Sequence, residues 1–184
     1  MDSNNNLYLV GQTEGNLDGN TNLGGNGLFL VKYDSAGTKQ WTQQMGSSVD
    51  DAGHAITIDN FGDVYVAGTT YGSLDGNTNA GDADLFVAKY DSDGNRQWTR
   101  QVGTNFFDGA RGITNDGAGN LYITGATVGN LDGNFAAGGE DTFIIKYSTA
   151  GVKQWTQQMG GFISRPCSWN NKRQSWGHLY FWEN

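Results

Sequence analysis

The chain is poor in the residues that most often staple a small fold or perform chemistry. Among 184 residues there is one cysteine, Cys167, one proline, Pro166, and two histidines. A single cysteine excludes an internal disulfide. Basic residues are few, 11 against 19 acidic, for a formal charge of −8. An acidic surface repels phosphate backbones, which argues against nucleic acid as a partner. No apolar run approaches the ~18 residues of a membrane span, so no membrane insertion is expected. Met1 is followed by Asp-Ser-Asn-Asn-Asn, with no signal-peptide pattern. The G-x-S-x-G and H-E-x-x-H patterns are missing, as is any Cys/His metal spacing. No Gly-Lys-Ser/Thr follows the glycine-rich segments, which excludes a P-loop.

Glycine is abundant instead, at 29 residues, but not at every third position, which excludes collagen. Aromatics make up 12%, too many for a disordered linker. The organising feature is an internal repeat of 57 residues: Trp41, Trp98 and Trp155 keep this spacing, as do Tyr33, Tyr90 and Tyr147, and Asp18, Asp75 and Asp132. The blocks 7–63, 64–120 and 121–160 align without a gap, the last one partial.

One unit reads as four short strands. His54–Asp59 ends at the turn Asn60-Phe-Gly-Asp63, and Val64–Thr69 follows. A glycine-rich loop leads to Leu85–Tyr90, and the tight turn Asp91-Ser-Asp-Gly94 leads to Arg96–Val102. Four strands joined by Gly, Asn and Asp turns form the unit of a propeller blade. The apolar runs alternate only in part, as expected where neighbours cover both faces of a sheet. Tyr65, Phe86 and Trp98 are the expected bulk between blades. The fold class is therefore all-β: a partial β-propeller of three consecutive four-stranded antiparallel blades in an open arc. Asp2 aligns with Asp59, so the first blade is expected to lack its innermost strand. Closed propellers need four or more blades. Two lateral faces are left over, and self-association through them is expected, with two or more chains completing a ring.

The motif Gly72-Ser-Leu-Asp-Gly-Asn77, followed by Asp84-Leu-Phe-Val-Ala-Lys-Tyr-Asp91 and Gln97-Trp-Thr-Arg-Gln-Val-Gly103, resembles the SBBP-type, seven-bladed β-propeller repeat of bacterial surface and secreted proteins. The resemblance runs from residue 2 to about 160. It implies a propeller, and a secreted or cell-surface parent protein. It implies no shared catalytic set.

After Gly161 the repeat vanishes. Trp169, Trp176 and Trp182 lie 57 residues after Gly112, Gly119 and Gly125. Tryptophan has the single codon TGG, and dropping its first base leaves the GG that opens every glycine codon. Residues from about 162–165 onward thus read as an out-of-frame translation of the next blade. The alternative is a genuine aromatic tail that caps the last one.

The recurring polar element is Gly-Asn/Ser-Leu-Asp-Gly-Asn. It places Asp18 and Asn20, Asp75 and Asn77, and Asp132 and Asn134 two residues apart in the loop after the second strand. Two readings are open. Carboxylate, amide and glycine-freed carbonyl oxygens suit Ca²⁺, which takes six to eight oxygens. Alternatively the side chains cap their own loop as Asx-turns. No other cofactor is implied. His54, replaced by Arg111 one repeat on, reads as a surface or structural residue. Lys32, Lys89 and Lys146 read as a solvated strand end.

The expected function is a non-catalytic structural or interaction module that offers its loops to a protein or glycan. A carbohydrate-binding, lectin-like propeller with an aromatic platform between blades is the alternative. A second alternative is a fragment of a propeller lyase or hydrolase, whose site would lie in the central channel of a full ring.

Overall fold

The computed structural model describes residues 1–161. The reading of the tail as an out-of-frame blade concerns residues that lie outside this range.

Three antiparallel sheets follow one another along the chain. The first contains β1 (Leu7–Thr13), β2 (Gly27–Tyr33) and β3 (Lys39–Met45). The second contains β4 (Asp51–Ile58), β5 (Val64–Thr70), β6 (Asp84–Tyr90) and β7 (Arg96–Val102). The third repeats that plan with β8 (Asp108–Asn115), β9 (Asn120–Thr127), β10 (Asp141–Ser148) and β11 (Lys153–Met159). Each sheet is an up-and-down meander. The first lacks a counterpart of β4 and β8, as expected from the alignment of Asp2 with Asp59. The arrangement is the expected partial, open propeller, and among the described residues no helix is long and apolar enough to cross a membrane.

The blades stack face to face because strand side chains alternate. On β5, Val64 and Val66 face the first blade and Tyr65 and Ala67 face the third, and every residue of this strand is buried. On β6, Phe86, Ala88 and Tyr90 face one way, and Leu85 and Val87 the other. Two cores result, one in each gap between blades. Strand β4 packs on β1 and on β8, and β8 packs on β5, which places these strands at the inner edge of the arc.

The tryptophans of the outer strands link each blade to the next. Trp41 donates its indole N–H to the Ser92 carbonyl at 3.2 Å, in the β6–β7 turn. Its ring lies so close to Gly94 that a Cβ there would sit 2.9 Å from it. Trp98 repeats the contact one blade on, with Gly151. Gly94 and Gly151 have φ of 86° and 77°, which glycine adopts without cost. Trp41 and Trp98 therefore pack between blades.

The lysines beside the tyrosines are more than a solvated strand end. Lys32, Lys89 and Lys146 lie over the rings of Tyr8, Tyr65 and Tyr122, with Nζ 5.4–5.5 Å from the ring centre. Each of these tyrosines in turn abuts Trp41, Trp98 or Trp155 of its own blade, at 6.0–6.3 Å between ring centres. Each tyrosine hydroxyl also donates to the aspartate that opens the turn before its strand: Tyr8 to Asp2 at 2.9 Å, Tyr65 to Asp59 at 2.8 Å, and Tyr122 to Asp116 at 3.4 Å. Burial, first, and the facing carboxylate, second, raise the phenol pKa of Tyr8 and Tyr65 well above the ordinary range.

Candidate functional site

The loop carrying the repeated Leu-Asp-Gly-Asn sequence is bound to the outer strand of its own blade. Asp18, Asp75 and Asp132 take the left-handed conformation, with φ of 50°, 50° and 51°. This turns each carboxylate toward the outer strand. Asp18 pairs with Lys39 at 2.5 Å and accepts from the Thr42 hydroxyl, also at 2.5 Å. Asp75 pairs in the same way with Arg96 and Thr99, and Asp132 with Lys153 and Thr156. Hydrogen bonds from Lys39, first, and Thr42 hold the Asp18 carboxyl below the usual carboxylate range.

Asn20, Asn77 and Asn134 donate their side-chain amides to the carbonyls of Leu17, Leu74 and Leu131 at 2.8–2.9 Å. Gln44, Gln101 and Gln158 complete the lock. Each accepts from the backbone N–H of one of these leucines at 3.0 Å and donates to the carbonyl of Gly15, Gly72 or Gly129 at 2.9–3.0 Å. Leu74 and Leu131 are thereby held in the core.

The six calcium candidates are thus brought to the outer strands and not to one another. Both oxygens of each carboxylate meet a cation or a hydroxyl, and each Asn turns its N–H₂ to a carbonyl. Among the described residues no group of three or more His, Cys, Asp or Glu side chains is placed to hold a metal ion. The asparagines bond to carbonyls of their own loop, whereas the aspartates hold the loop by reaching across to the outer strand and not by capping their own backbone. In the repeated Gln-Trp-Thr-x-Gln segment Thr and the second Gln hold the loop, and in the first two blades Trp docks on the next blade.

A second repeated acid was missed in the sequence. Asp51 and Asp108 are fully buried at the start of the inner strands. Asp51 accepts from Ser47 N at 2.5 Å, from the Ser47 hydroxyl at 3.0 Å, and from the Thr70 hydroxyl. Asp108 does the same with Thr104 and Thr127. Burial raises the Asp108 pKa, against those hydrogen bonds and with a contribution from the charge of Asp84. Asp84 and Asp141 are also buried. Each accepts at one oxygen, from a backbone N–H and from Gln101 or Gln158, while the other oxygen has no partner. The 57-residue spacing of Asp51 with Asp108, and of Asp84 with Asp141, was the available signal.

Antiparallel topology places two kinds of connection at one end of the arc: the long loops inside each blade and the links from one blade to the next. Leu23, Val49, Tyr71, Phe106, Val128 and Phe135 are exposed there. A cleft of about 280 Å³ opens between blades near this rim, lined among others by Asn26, Asp50, His54, Tyr71, Phe107 and Arg111. Asp50 accepts from the Asn26 backbone at 2.8 Å and from its side chain at 3.1 Å. His54 is exposed, and its Nδ1 meets the Ala110 carbonyl at 2.8 Å. A carbonyl only accepts, so Nδ1 carries the proton and Nε2 of the neutral ring is left as an acceptor.

A family model of the SBBP β-propeller repeat matches residues 40–75. The chain is 28% identical over 175 residues to the regulatory protein FlaEY of Caulobacter vibrioides, covering 84% of this chain and 18% of that protein. It is 26% identical over 164 residues to an uncharacterized WD repeat-containing protein, L264, of Acanthamoeba polyphaga mimivirus, covering 72% of this chain and 12% of that one. The chain thus spans less than a fifth of the length of either relative. The matched residues, 40–75, run from β3 into the loop that follows β5, within the partial propeller described above.

Proposed function

We propose that the chain is a non-catalytic interaction module: a run of blades within a larger propeller of a secreted or cell-surface protein, which offers the loop rim to a protein or glycan. One observation carries this reading. The residues that fix the rim loops recur with one conservative change, Arg96 for Lys39 and Lys153, while the residues the loops expose vary freely. Leu17, Asp18, Gly19, Asn20 and Gln44 recur identically 57 and 114 positions on. In contrast, Val49 becomes Phe106, Asp50 becomes Phe107, Tyr71 stands where the first blade has Glu14 and the third Val128, and Phe135 stands where the others have Thr21 and Thr78. A constant frame with varied exposed positions is how repeat proteins generate binding surfaces. The test is a triple substitution in the longer protein, Val49, Phe106 and Phe135 each to Ser. It should abolish binding to that protein's partner and leave the melting temperature unchanged. Substrate turnover by the longer protein that disappears in His54→Ala or Arg111→Ala would overturn the non-catalytic reading.

The cleft favours glycan as one class of ligand. Tyr71 and Phe107 line it together with the polar residues Asn26, Asp50 and His54, a mixture suited to a sugar's apolar face and hydroxyls. A glycan array on the longer protein tests this reading, with Tyr71→Ala expected to remove the signal.

A further inference from the structure

The second blade has a neighbour on each side, and contacts within the chain set its share of the loop rim. The Tyr71 N–H donates to the Asp50 carbonyl at 3.0 Å, and a Cβ on Gly72 would sit 2.8 Å from the Val49 side chain. On the other flank the backbone of Thr104 and Asn105 lies against Gly81, and a parallel bridge between Ala83 and Phe107 brings Asp82 alongside Phe106. One patch results. Val49, Tyr71 and Phe106 are 42%, 46% and 56% exposed, and Asp50 and Asp82 are exposed among them. Burial, first, and then the charges of Asp82 and Asp50 raise the Tyr71 phenol pKa. Elsewhere in this fold a tyrosine ring with a carboxylate beside it holds a lysine: Lys89 Nζ lies 5.4 Å from the centre of the Tyr65 ring and 2.6 Å from Asp63. Tyr71 offers the same chemistry at the surface. Among the described residues the ion pairs are made by Asp18, Asp63, Asp75 and Asp132, and neither Asp50 nor Asp82 takes part.

Resting on the interaction-module reading, we propose that this patch docks a lysine of a protein partner. The ammonium lies over the Tyr71 ring between Asp50 and Asp82, and apolar residues flanking that lysine lie on Val49 and Phe106. The partner is thus a basic segment with apolar flanks. It is a different protein because the lysines of this chain are committed: among the described residues Lys39, Lys89 and Lys153 are in ion pairs, Lys32 donates to the Ser92 carbonyl, and Lys146 lies over Tyr122. The formal charge of −8 favours the approach of a basic partner.

NMR titration of the full chain with three probes tests this: the capped peptide Leu-Lys-Leu, the same peptide with Nε-acetyl-lysine, and methyl glucoside. The lysine peptide should shift the Val49 methyl signals and the ring signals of Tyr71 and Phe106, and should bind about fivefold tighter than the acetylated one. Asp82→Asn should weaken the lysine peptide and leave the acetylated one unchanged. Asp93→Asn removes the same charge at the opposite end of the blade and should change neither; both positions are exposed, so the fold stays intact. Equal binding of the two peptides, equal effects of the two variants, or no shift at these side chains would each overturn the proposal. Shifts at Tyr71 from methyl glucoside and not from the lysine peptide would overturn it in favour of a sugar and leave the interaction module standing. A longer protein that still binds its partner with Val49, Phe106 and Phe135 all changed to Ser would overturn the module reading and this docking together.

Discussion

Trp98 lies on the hairpin glycine Gly151 of the following blade, as Trp41 lies on Gly94, while Gly37 has the same turn conformation and no ring against it. This contrast separates two costs that a glycine substitution usually mixes. Gly37→Ala forces an L-residue into the left-handed region and should cost about 1–2 kcal/mol. Gly94→Ala carries the same cost and also pushes its Cβ into Trp41, adding about 1–3 kcal/mol of overpacking. Urea unfolding of dilute protein checks the difference. Equal losses at the two sites would mean that the indole does not hold the blades together.

The calcium reading leads to a direct measurement. Because Asp18, Asp75 and Asp132 already face Lys39, Arg96 and Lys153, millimolar Ca²⁺ should leave the melting temperature unmoved. Asp75→Asn keeps a residue that tolerates the left-handed turn but removes the ion pair. Its cost should be about 1 kcal/mol or less, as for partly exposed pairs. A rise in melting temperature with Ca²⁺ that vanishes in Asp75→Asn would establish a metal site at this loop.

The buried acids differ in a way that substitution can read. Both oxygens of Asp108 accept hydrogen bonds, whereas Asp84 accepts at one oxygen only. In Asp84→Asn the amide oxygen can keep the bonds from Ala80 N and Gln101 while the buried charge disappears. This variant should match or exceed wild-type stability at pH 7. Asp108→Asn turns one acceptor into a donor that faces the Thr127 hydroxyl, and should lose about 1–3 kcal/mol. Chemical denaturation of both variants at pH 7 distinguishes them.

Acid should act first through the turn aspartates. Burial pushes the carboxyls of Asp2 and Asp91 up, but hydrogen bonds from Asn6, Tyr8 and Asn4 at Asp2, and from Asn95, Asp93 and Gly94 at Asp91, outweigh it. Asp2 is held at about 2 and Asp91 below its ordinary 3.8. Asp116 is lowered chiefly by Asn120, then by the Ala118 backbone. A carboxyl lowered on folding contributes stability that is present above its unfolded value and lost as pH falls through its folded one. These groups should therefore make stability fall from just above pH 3.8 downward. Asp108, raised by burial, works in the opposite sense: its contribution is greatest below 3.8 and is lost as pH rises through its folded value. Melting temperatures of the wild type and Asp91→Asn between pH 2 and 7 check this. The variant should show the shallower acid limb.

Much of the architecture was legible because a 57-residue period carries it. Arg96–Val102 was placed at its true bounds, and the turn role of Asp91 is seen in its bonds to the Asp93 and Asn95 N–H groups. The start of β4 was placed at His54, whereas the strand begins at Asp51. Asp-Asp-Ala-Gly reads as loop, and a register shift between Gly53 and Ala55 breaks the alternation that would have marked a strand. The buried acids were hidden because a charged residue at a strand start looks solvated until its hydroxyl partners, Thr70 and Thr127 among them, are brought next to it. The direction of Asp18, Asp75 and Asp132 could not be read either. It depends on a left-handed residue that is not glycine, which sequence rarely announces.

The stacking of successive sheets by tryptophan on glycine is tested most directly by proton NMR of dilute, monomeric protein. The account predicts strong ring-current shifts of the Gly94 and Gly151 α-protons, cross-relaxation from each to the indole of Trp41 or Trp98, and ordinary shifts for Gly37. Three glycines with the same shifts, or cross-relaxation from Trp41 only to its own sheet, would contradict it.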